Sequence, residues 1–229
     1  MRLSLAIILL AISCISWADG IVVDKVYHPY VVANEHELEW RLSSSQNDVG
    51  NRLAQQFGYG YSFFENIAFE AYIIAERDEA DDFKVRGYEV EMRWMLTEQG
   101  QYWADWGALF ELEAEEGVDR YEASVGILFE KEFTRTSLTL NALAHYEWGS
   151  GDNETEAEFR LKYRYRYLPA IQPAIEMYAS KNFLGIGPAI MGVYRFDGQK
   201  QLKWEAGFIA EVTQTGKDHT FRMAIEYEF

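Results

Sequence analysis

The sequence has little cysteine, proline or positive charge. Its 229 residues include one cysteine, four prolines and 21 Lys+Arg against 37 Asp+Glu. The cysteine, Cys14, lies in an N-terminal apolar stretch, so no thiol elsewhere can form a disulfide or bind a metal. So few prolines exclude a Pro-rich linker and favour a single domain. The acidic balance excludes the basic footprint that binds nucleic acid. We therefore expect no nucleic-acid partner, and because no spacing of histidine, cysteine and carboxylate residues resembles a zinc or EF-hand site, we also expect no metal and no cofactor.

Long apolar runs are also lacking, since a membrane helix needs about 20 apolar residues and no stretch supplies them. The run at residues 3–12 follows one positive charge and stops well short of that length. Residues 16–18 then place small side chains where a signal peptidase reads them. The sequence predicts a signal peptide of residues 1–18, cleaved after Ala18. A lipoprotein cut at Cys14 is the alternative, but the large aliphatic residue that this signal needs three positions upstream is missing.

The chain is 16% aromatic, whereas acidic disordered proteins are poor in aromatic residues. Apolar and polar residues alternate with period two along most of it, most clearly over residues 156–167. In a strand the two sets point to opposite faces, whereas a helix would mix them. The pattern predicts about twelve strands, with about ten as the alternative, and bacterial outer-membrane barrels have even numbers. The segments are 38–42, 53–61, 67–75, 88–94, 104–113, 121–129, 137–148, 156–167, 171–179, 184–196, 202–212 and 221–229.

Strand length separates a soluble fold from a membrane barrel. Soluble strands usually run about 5–6 residues, while membrane-spanning strands need about 9–11, and most segments here fit the longer class. A soluble β-sandwich would also alternate and is the alternative. Its core, however, would hold mainly aliphatic residues, whereas here aromatics lie toward strand ends on the apolar face, where interfacial girdles belong. These aromatics are Trp40, Trp94, Trp106, Trp148, Tyr167 and Trp204.

The predicted fold is therefore all-β, a closed antiparallel transmembrane β-barrel of residues 35–229 behind a periplasmic N-terminal segment of residues 19–34. Acidic residues concentrate in alternate loops, as expected if those loops lie on the outer side. The last strand alternates up to a terminal aromatic, Phe229, and resembles the signal read by the barrel assembly machinery. We expect the protein in the outer membrane of a Gram-negative cell, with membrane lipids and this machinery as partners.

Charged residues cannot face lipid near the membrane midplane without a large cost, so the charged set is assigned to the lumen. One predicted strand carries a row of four basic residues, and other strands carry mainly glutamates. Stripes of charge select ions and solutes in pores, although ion pairs in a plugged interior would use the same residues. The predicted pore-lining residues are Arg160, Lys162, Arg164, Arg166, Glu89, Glu91, Arg93, Glu111, Glu113 and Glu176.

The stretch Arg164-Tyr165-Arg166-Tyr167, the strand number and the modest loops resemble the oligogalacturonate-specific porin family, which includes the sialic acid channel. The resemblance implies a twelve-stranded monomeric barrel with basic tracks that pass acidic sugars. The predicted lumen differs from that family in being rich in acid. The resemblance therefore bears on the fold more than on the solute.

The sequence favours a channel for passive diffusion of small hydrophilic solutes, charged ones included. A non-conducting scaffold or surface interaction barrel is the alternative from another class. A lipid-modifying enzyme comes last, because a serine, a histidine and an orienting group must converge and the sequence shows no such spacing. His145, with Glu147 and Asn141 on its own face, is interpreted as a hydrogen-bonded lumenal residue, and Tyr27-His28-Pro29-Tyr30 as a periplasmic plug or tether.

Overall fold

The computed structural model describes residues 23–47, 50–77, 82–181, 183–212 and 217–229. These residues form a closed antiparallel barrel of twelve strands, which confirms the predicted fold class. Each strand pairs with its neighbours in sequence, and β1 pairs with β12 to close the ring. The strands are β1 (His36–Asn47), β2 (Gly50–Tyr61), β3 (Ile67–Arg77), β4 (Phe83–Met95), β5 (Asp105–Glu115), β6 (Arg120–Glu132), β7 (Thr136–Gly149), β8 (Glu154–Tyr165), β9 (Gln172–Ala179), β10 (Leu184–Arg195), β11 (Gln201–Glu211) and β12 (Lys217–Glu228).

The alternation in sequence becomes the two faces of the wall. On β8, Phe159 and Tyr163 point outward and are 56% and 46% exposed, while Arg160 and Lys162 point inward and are buried. The other strands follow the same rule, so the charged positions line the interior and the apolar positions cover the outside. Within the described residues no helix is long and apolar enough to cross a membrane.

Apolar side chains encircle the outside of the barrel, with rings of aromatics near both ends. At one end Phe229 stacks on His36 and on Tyr227. At the other end Trp148 stacks on Tyr121 and Tyr146. A continuous apolar belt of this extent is rare on soluble monomers and is typical of a surface that contacts lipid or a partner.

The two ends of the barrel differ. We call the end that holds His36 and Phe229 the terminal end and the opposite one the loop end. At the terminal end the ring closes through paired backbone hydrogen bonds between these two residues, 2.9 and 3.0 Å long. Glu35 also lies at this rim. Burial and, to a smaller extent, the nearby carboxylate of Glu228 raise the pKa of Glu35 to about 7.

The chain before β1 turns back into the barrel. Asn34 adopts a left-handed backbone conformation (φ 60°), which asparagine tolerates better than most residues, and its N–H donates to the carbonyl of Ser62 at 3.0 Å. From this turn, residues 23–31 pass through the lumen. Of the predicted segment of residues 19–34, residues 19–22 lie outside the described residues. We use the name N-terminal segment for residues 23–35.

A glycine in the wall makes room for the segment. A Cβ added at Gly107, on the inner face of β5, would lie 3.0 Å from Cα and Cβ of Pro29. Any larger side chain at this position needs the segment to shift, so the wall is shaped to the segment that it encloses.

Candidate functional site: a lumen filled by the N-terminal segment

Tyr27 is the main apolar anchor of the N-terminal segment. Its side chain is 1% exposed and packs with Leu109, Leu128 and Leu143, which lie side by side on the inner faces of β5, β6 and β7. Truncating a buried aromatic side chain to alanine costs on the order of 3–5 kcal/mol, so the contacts of this ring stabilise the lumenal position of the segment. The ring therefore holds the segment at mid-height in the lumen.

The backbone and hydroxyl of Tyr27 are also bound. Its N–H donates to Asn141 Oδ1 at 2.8 Å, and its carbonyl accepts from Asn141 Nδ2 at 2.9 Å. Its hydroxyl donates to Glu91 at 2.6 Å and accepts from Arg41 at 3.0 Å. The guanidinium groups of Arg41 and Arg160 lie 5.4 and 5.8 Å from the ring centroid, within cation–π range. A wall asparagine thus binds the segment as a strand partner would.

Lys25 lies in a cluster of three carboxylates from the wall. Its ammonium is 2.9 Å from Glu39, 2.9 Å from Glu226 and 3.8 Å from Glu37, and all four side chains are buried. We call Glu37, Glu39 and Glu226 the ammonium cage. Because Glu37 and Glu39 belong to β1 and Glu226 to β12, Lys25 bridges the seam where the barrel closes.

Two further contacts fix the part of the segment nearer the terminal end. His28 Nδ1 lies 2.5 Å from Glu130 of β6, and the hydroxyl of Tyr30 donates to Asp105 of β5 at 2.9 Å. Val23 and Val26 pack on the other side of the lumen with Tyr178, Phe183 and Ile209. The segment therefore crosses the lumen from the β9–β11 side to the β5–β7 side.

The predicted basic row of β8 is in place, and its members lie in ion pairs. Arg160 donates to Glu158 at 2.7 Å and to the carbonyl of Lys25 at 2.8 Å. Lys162 is 1% exposed and lies 2.8 Å from Glu205 and 3.6 Å from Glu176. These cations are neutralised by acids of the wall.

The row ends at the rim. Arg164 donates to Ser137 at 3.0 Å and to Glu130 at 3.3 Å. Arg166 lies just past the end of β8, in the turn to β9, and its guanidinium is 3.3 Å from Glu132. Three of the four predicted basic residues therefore lie in β8, and Arg166 belongs to the terminal end.

The other predicted lining residues also lie on the inner face. Arg93 contacts Glu70 at 2.7 Å. Glu176 accepts two hydrogen bonds from Arg222 of β12. Glu91 binds Tyr27, as described above. Glu89, Glu111 and Glu113 line an open part of the interior.

This open part is a cavity of about 400 Å³ that reaches from Asp24 and Arg160 at mid-height to the loop end. We call it the vestibule. Eleven carboxylates and four arginines line it, so its field is negative. A negative, narrow cavity with protein walls concentrates cations and repels anions. The N-terminal segment forms its floor, so within the described residues the vestibule ends at mid-height.

A serine and a histidine meet in the vestibule wall. Ser124 and His145 are cross-strand partners on β6 and β7, with Ser124 Oγ 2.8 Å from His145 Nδ1. Sequence spacing did not show this pair, because pairing between strands created it. Glu122 lies 2.9 Å from the same nitrogen and Glu158 lies 3.3 Å from Nε2. Since carboxylates contact both nitrogens, neither is left to take a proton from Ser124, as nucleophilic catalysis needs.

Two groups of carboxylates are close enough to share an ion, with oxygens within 4.8 Å of one another. The first is the ammonium cage, which holds Lys25. The second is Glu89, Glu91 and Glu111 at the floor of the vestibule. Acidic groups of this kind are common without a metal, and we assign no ion to them.

No protein-family model and no curated protein matches the sequence. The fold is similar to solved structures of outer-membrane channels. A structure of the KdgM porin is 12% identical with a TM-score of 0.58, and the KdgM porin in complex with disordered oligogalacturonate is 11% identical with a TM-score of 0.57. Each match covers 84% of this chain and 99% of the other. An outer-membrane channel from Pseudomonas putida F1 is 13% identical with a TM-score of 0.59, covering 90% of this chain and 98% of that one.

The chain shares their fold. The expected loose similarity to the oligogalacturonate-specific porin family is thereby confirmed. Identities this low carry the architecture and no more, so the lumen must be interpreted from its own residues.

The residues that sequence reasoning missed are those that hold the segment. Leu109, Leu128 and Leu143 are apolar residues on the otherwise polar inner face. Leucines at neighbouring inward positions of three adjacent strands are a signal for something packed inside, here Tyr27. Lys25 gave no such signal, because a lysine before the first strand reads as a solvated charge.

Proposed function

We propose that the protein is a porin-like channel of the outer membrane, closed at mid-height by its N-terminal segment. The apolar outer belt and the aromatic rings at both ends suit a bilayer, in which only a closed barrel satisfies every strand hydrogen bond. The similar folds of the KdgM porin and the P. putida channel support this assignment.

One observation carries the proposal. The element that fills the lumen is not part of the wall, and it is held there through side chains rather than through strand pairing. Water can replace these side-chain hydrogen bonds when the segment moves. They are the pair between Tyr27 and Asn141 and those of the Lys25, His28 and Tyr30 side chains. A barrel of about twelve strands lies between closed eight-stranded barrels and open sixteen-stranded pores, so displacement of a lumenal element decides whether it conducts.

The solutes that we propose are small and hydrophilic. The vestibule carries more carboxylates than arginines, which disfavours anions on the way in. The KdgM porin was solved with oligogalacturonate, an acidic sugar. The described part of the lumen offers no open basic track for such a ligand, since Arg160 and Lys162 are paired with acids.

Planar-bilayer recording tests the proposal. The wild type is expected to show rare or small conductance steps, and a variant lacking residues 23–31 larger and frequent ones. Tyr163→Ala, on the outer face, serves as a matched control and is expected to behave like the wild type. If the shortened barrel inserts and conducts at no voltage, the channel is refuted and the non-conducting scaffold takes its place.

A further inference from the structure

The ammonium cage is built by the wall rather than by the N-terminal segment. Glu39 directs Oε2 to Arg41 at 2.9 Å and Oε1 to Lys25 at 2.9 Å. Glu226 directs Oε1 to Lys203 at 2.7 Å and Oε2 to Lys25 at 2.9 Å. Each carboxylate thus has one oxygen fixed by a wall cation and another turned toward the lysine.

Glu37 follows the same arrangement at longer range. Its Oε2 lies 3.8 Å from Arg93 and its Oε1 lies 3.8 Å from the ammonium of Lys25. Among the described residues, Oε1 of Glu37 is buried and accepts no hydrogen bond. The cage therefore presents three carboxylate oxygens to one point, and the cation at that point comes from a segment outside the wall.

When the segment leaves, these oxygens keep their positions but lose their cation. Three carboxylates that converge in a narrow lumen with protein walls hold a strongly negative potential, so the open cage favours a replacement cation. The replacement must match what Lys25 supplies, a compact group with three N–H donors on an aliphatic stem. A primary alkylammonium has this chemistry.

We propose that Glu37, Glu39 and Glu226 form a binding site for the primary ammonium groups of solutes, which Lys25 occupies as an internal ligand in the closed barrel. The proposal deepens and rests on the proposed function, since it names alkylamines as the solute class of the channel. The negative vestibule draws the same class of ion in from the loop end.

Chemical rescue tests the site without any measurement of conductance. Lys25→Met removes the ammonium and keeps an apolar stem, and Lys200→Met makes the same change in the exposed turn between β10 and β11. Both barrels are refolded from urea into detergent micelles, and the folded fraction is scored by gel mobility. The salts compared at equal ionic strength are methylammonium (the smallest primary alkylammonium), tetramethylammonium, sodium and calcium chloride.

Lys25→Met is expected to lower the urea midpoint, and methylammonium is expected to raise it again in proportion to the logarithm of amine concentration. Tetramethylammonium has no N–H to donate and is expected to give no such shift. Adding Glu39→Gln to Lys25→Met is expected to raise the amine concentration needed for half of the rescue by about tenfold or more. Lys200→Met should respond to no salt.

Equal shifts with sodium, calcium or tetramethylammonium, or no shift with any salt, overturn the site. If Lys25→Met does not fold alone, recovery in methylammonium and in no other salt supports the site, and failure in every salt overturns it. The two proposals fail separately. Rescue by the amine with no conductance from the barrel lacking residues 23–31 refutes the channel alone, and conductance without rescue refutes the cage alone.

Discussion

Tyr27→Ala is expected to open the barrel. The substitution removes a ring that is 1% exposed and packs on Leu109, Leu128 and Leu143. Truncating a buried aromatic side chain to alanine costs about 3–5 kcal/mol. The cost falls on the closed state alone, because the ring loses these neighbours once the segment has left the lumen. At about 1.4 kcal/mol for each factor of ten, the ratio of open to closed barrels should rise by at least about a hundredfold.

Tyr27→Phe divides this effect into its parts. It keeps the ring and removes the hydroxyl that donates to Glu91 at 2.6 Å and accepts from Arg41 at 3.0 Å. Hydrogen bonds to charged groups are worth about 1.5–3 kcal/mol, so the expected rise in the open ratio is about ten- to a hundredfold. The open probability is therefore expected to be lowest in the wild type, higher in Tyr27→Phe and highest in Tyr27→Ala.

Single-channel recording in planar bilayers measures this order as open probability at fixed voltage. Tyr163→Ala makes the same truncation on the outer face, where the tyrosine is 46% exposed, and is expected to leave the open probability unchanged. The reasoning is refuted if Tyr27→Ala and Tyr163→Ala behave alike, or if Tyr27→Phe opens the barrel more than Tyr27→Ala does.

Three further changes test other parts of the structure. Gly107→Val places a side chain against Pro29, which destabilises the closed state, so the open probability should rise although no contact of the segment is removed. An unchanged open probability would show that the segment can shift within the lumen. Phe229→Ser removes the ring that stacks at the closing seam, and the yield of assembled barrel in membrane fractions should fall, whereas an equal yield would make the aromatic end a coincidence. Lys162→Met removes one of the two cations that contact Glu176 and Glu205, and Arg222 remains as the other, so the urea midpoint should drop while Lys200→Met stays at the wild-type value. Equal midpoints would contradict a structural role for the contacts of Lys162.

The fold could be predicted from the sequence because alternation is a local property. Each of the twelve alternating segments corresponds to a strand, and the boundaries differ where polarity stops alternating. For β1 the apolar pattern covers residues 38–42, but the strand runs from His36 to Asn47, because Ser43, Ser44 and Ser45 are polar on both faces. Backbone pairing with β2 and β12 extends the strand where the pattern gives no sign.

The interior could be predicted only by face and not by partner. The β8 row was correctly placed on the inner face, yet Lys162 pairs with Glu205 of β11, three strands away around the ring. Such a contact depends on the diameter of the closed barrel and on what lies between the walls. The partners of Lys25 could likewise not be predicted, since these three glutamates come from both ends of the chain.

The position of Lys25 constrains the order in which the protein assembles. Its ammonium bridges Glu39 of the first strand and Glu226 of the last, two residues that become neighbours only when these strands pair. The contact therefore cannot exist while the ring is open, although the lysine is synthesised before any strand. It follows that the N-terminal segment cannot complete its docking before β1 pairs with β12, although its contacts with the other strands need no closed ring.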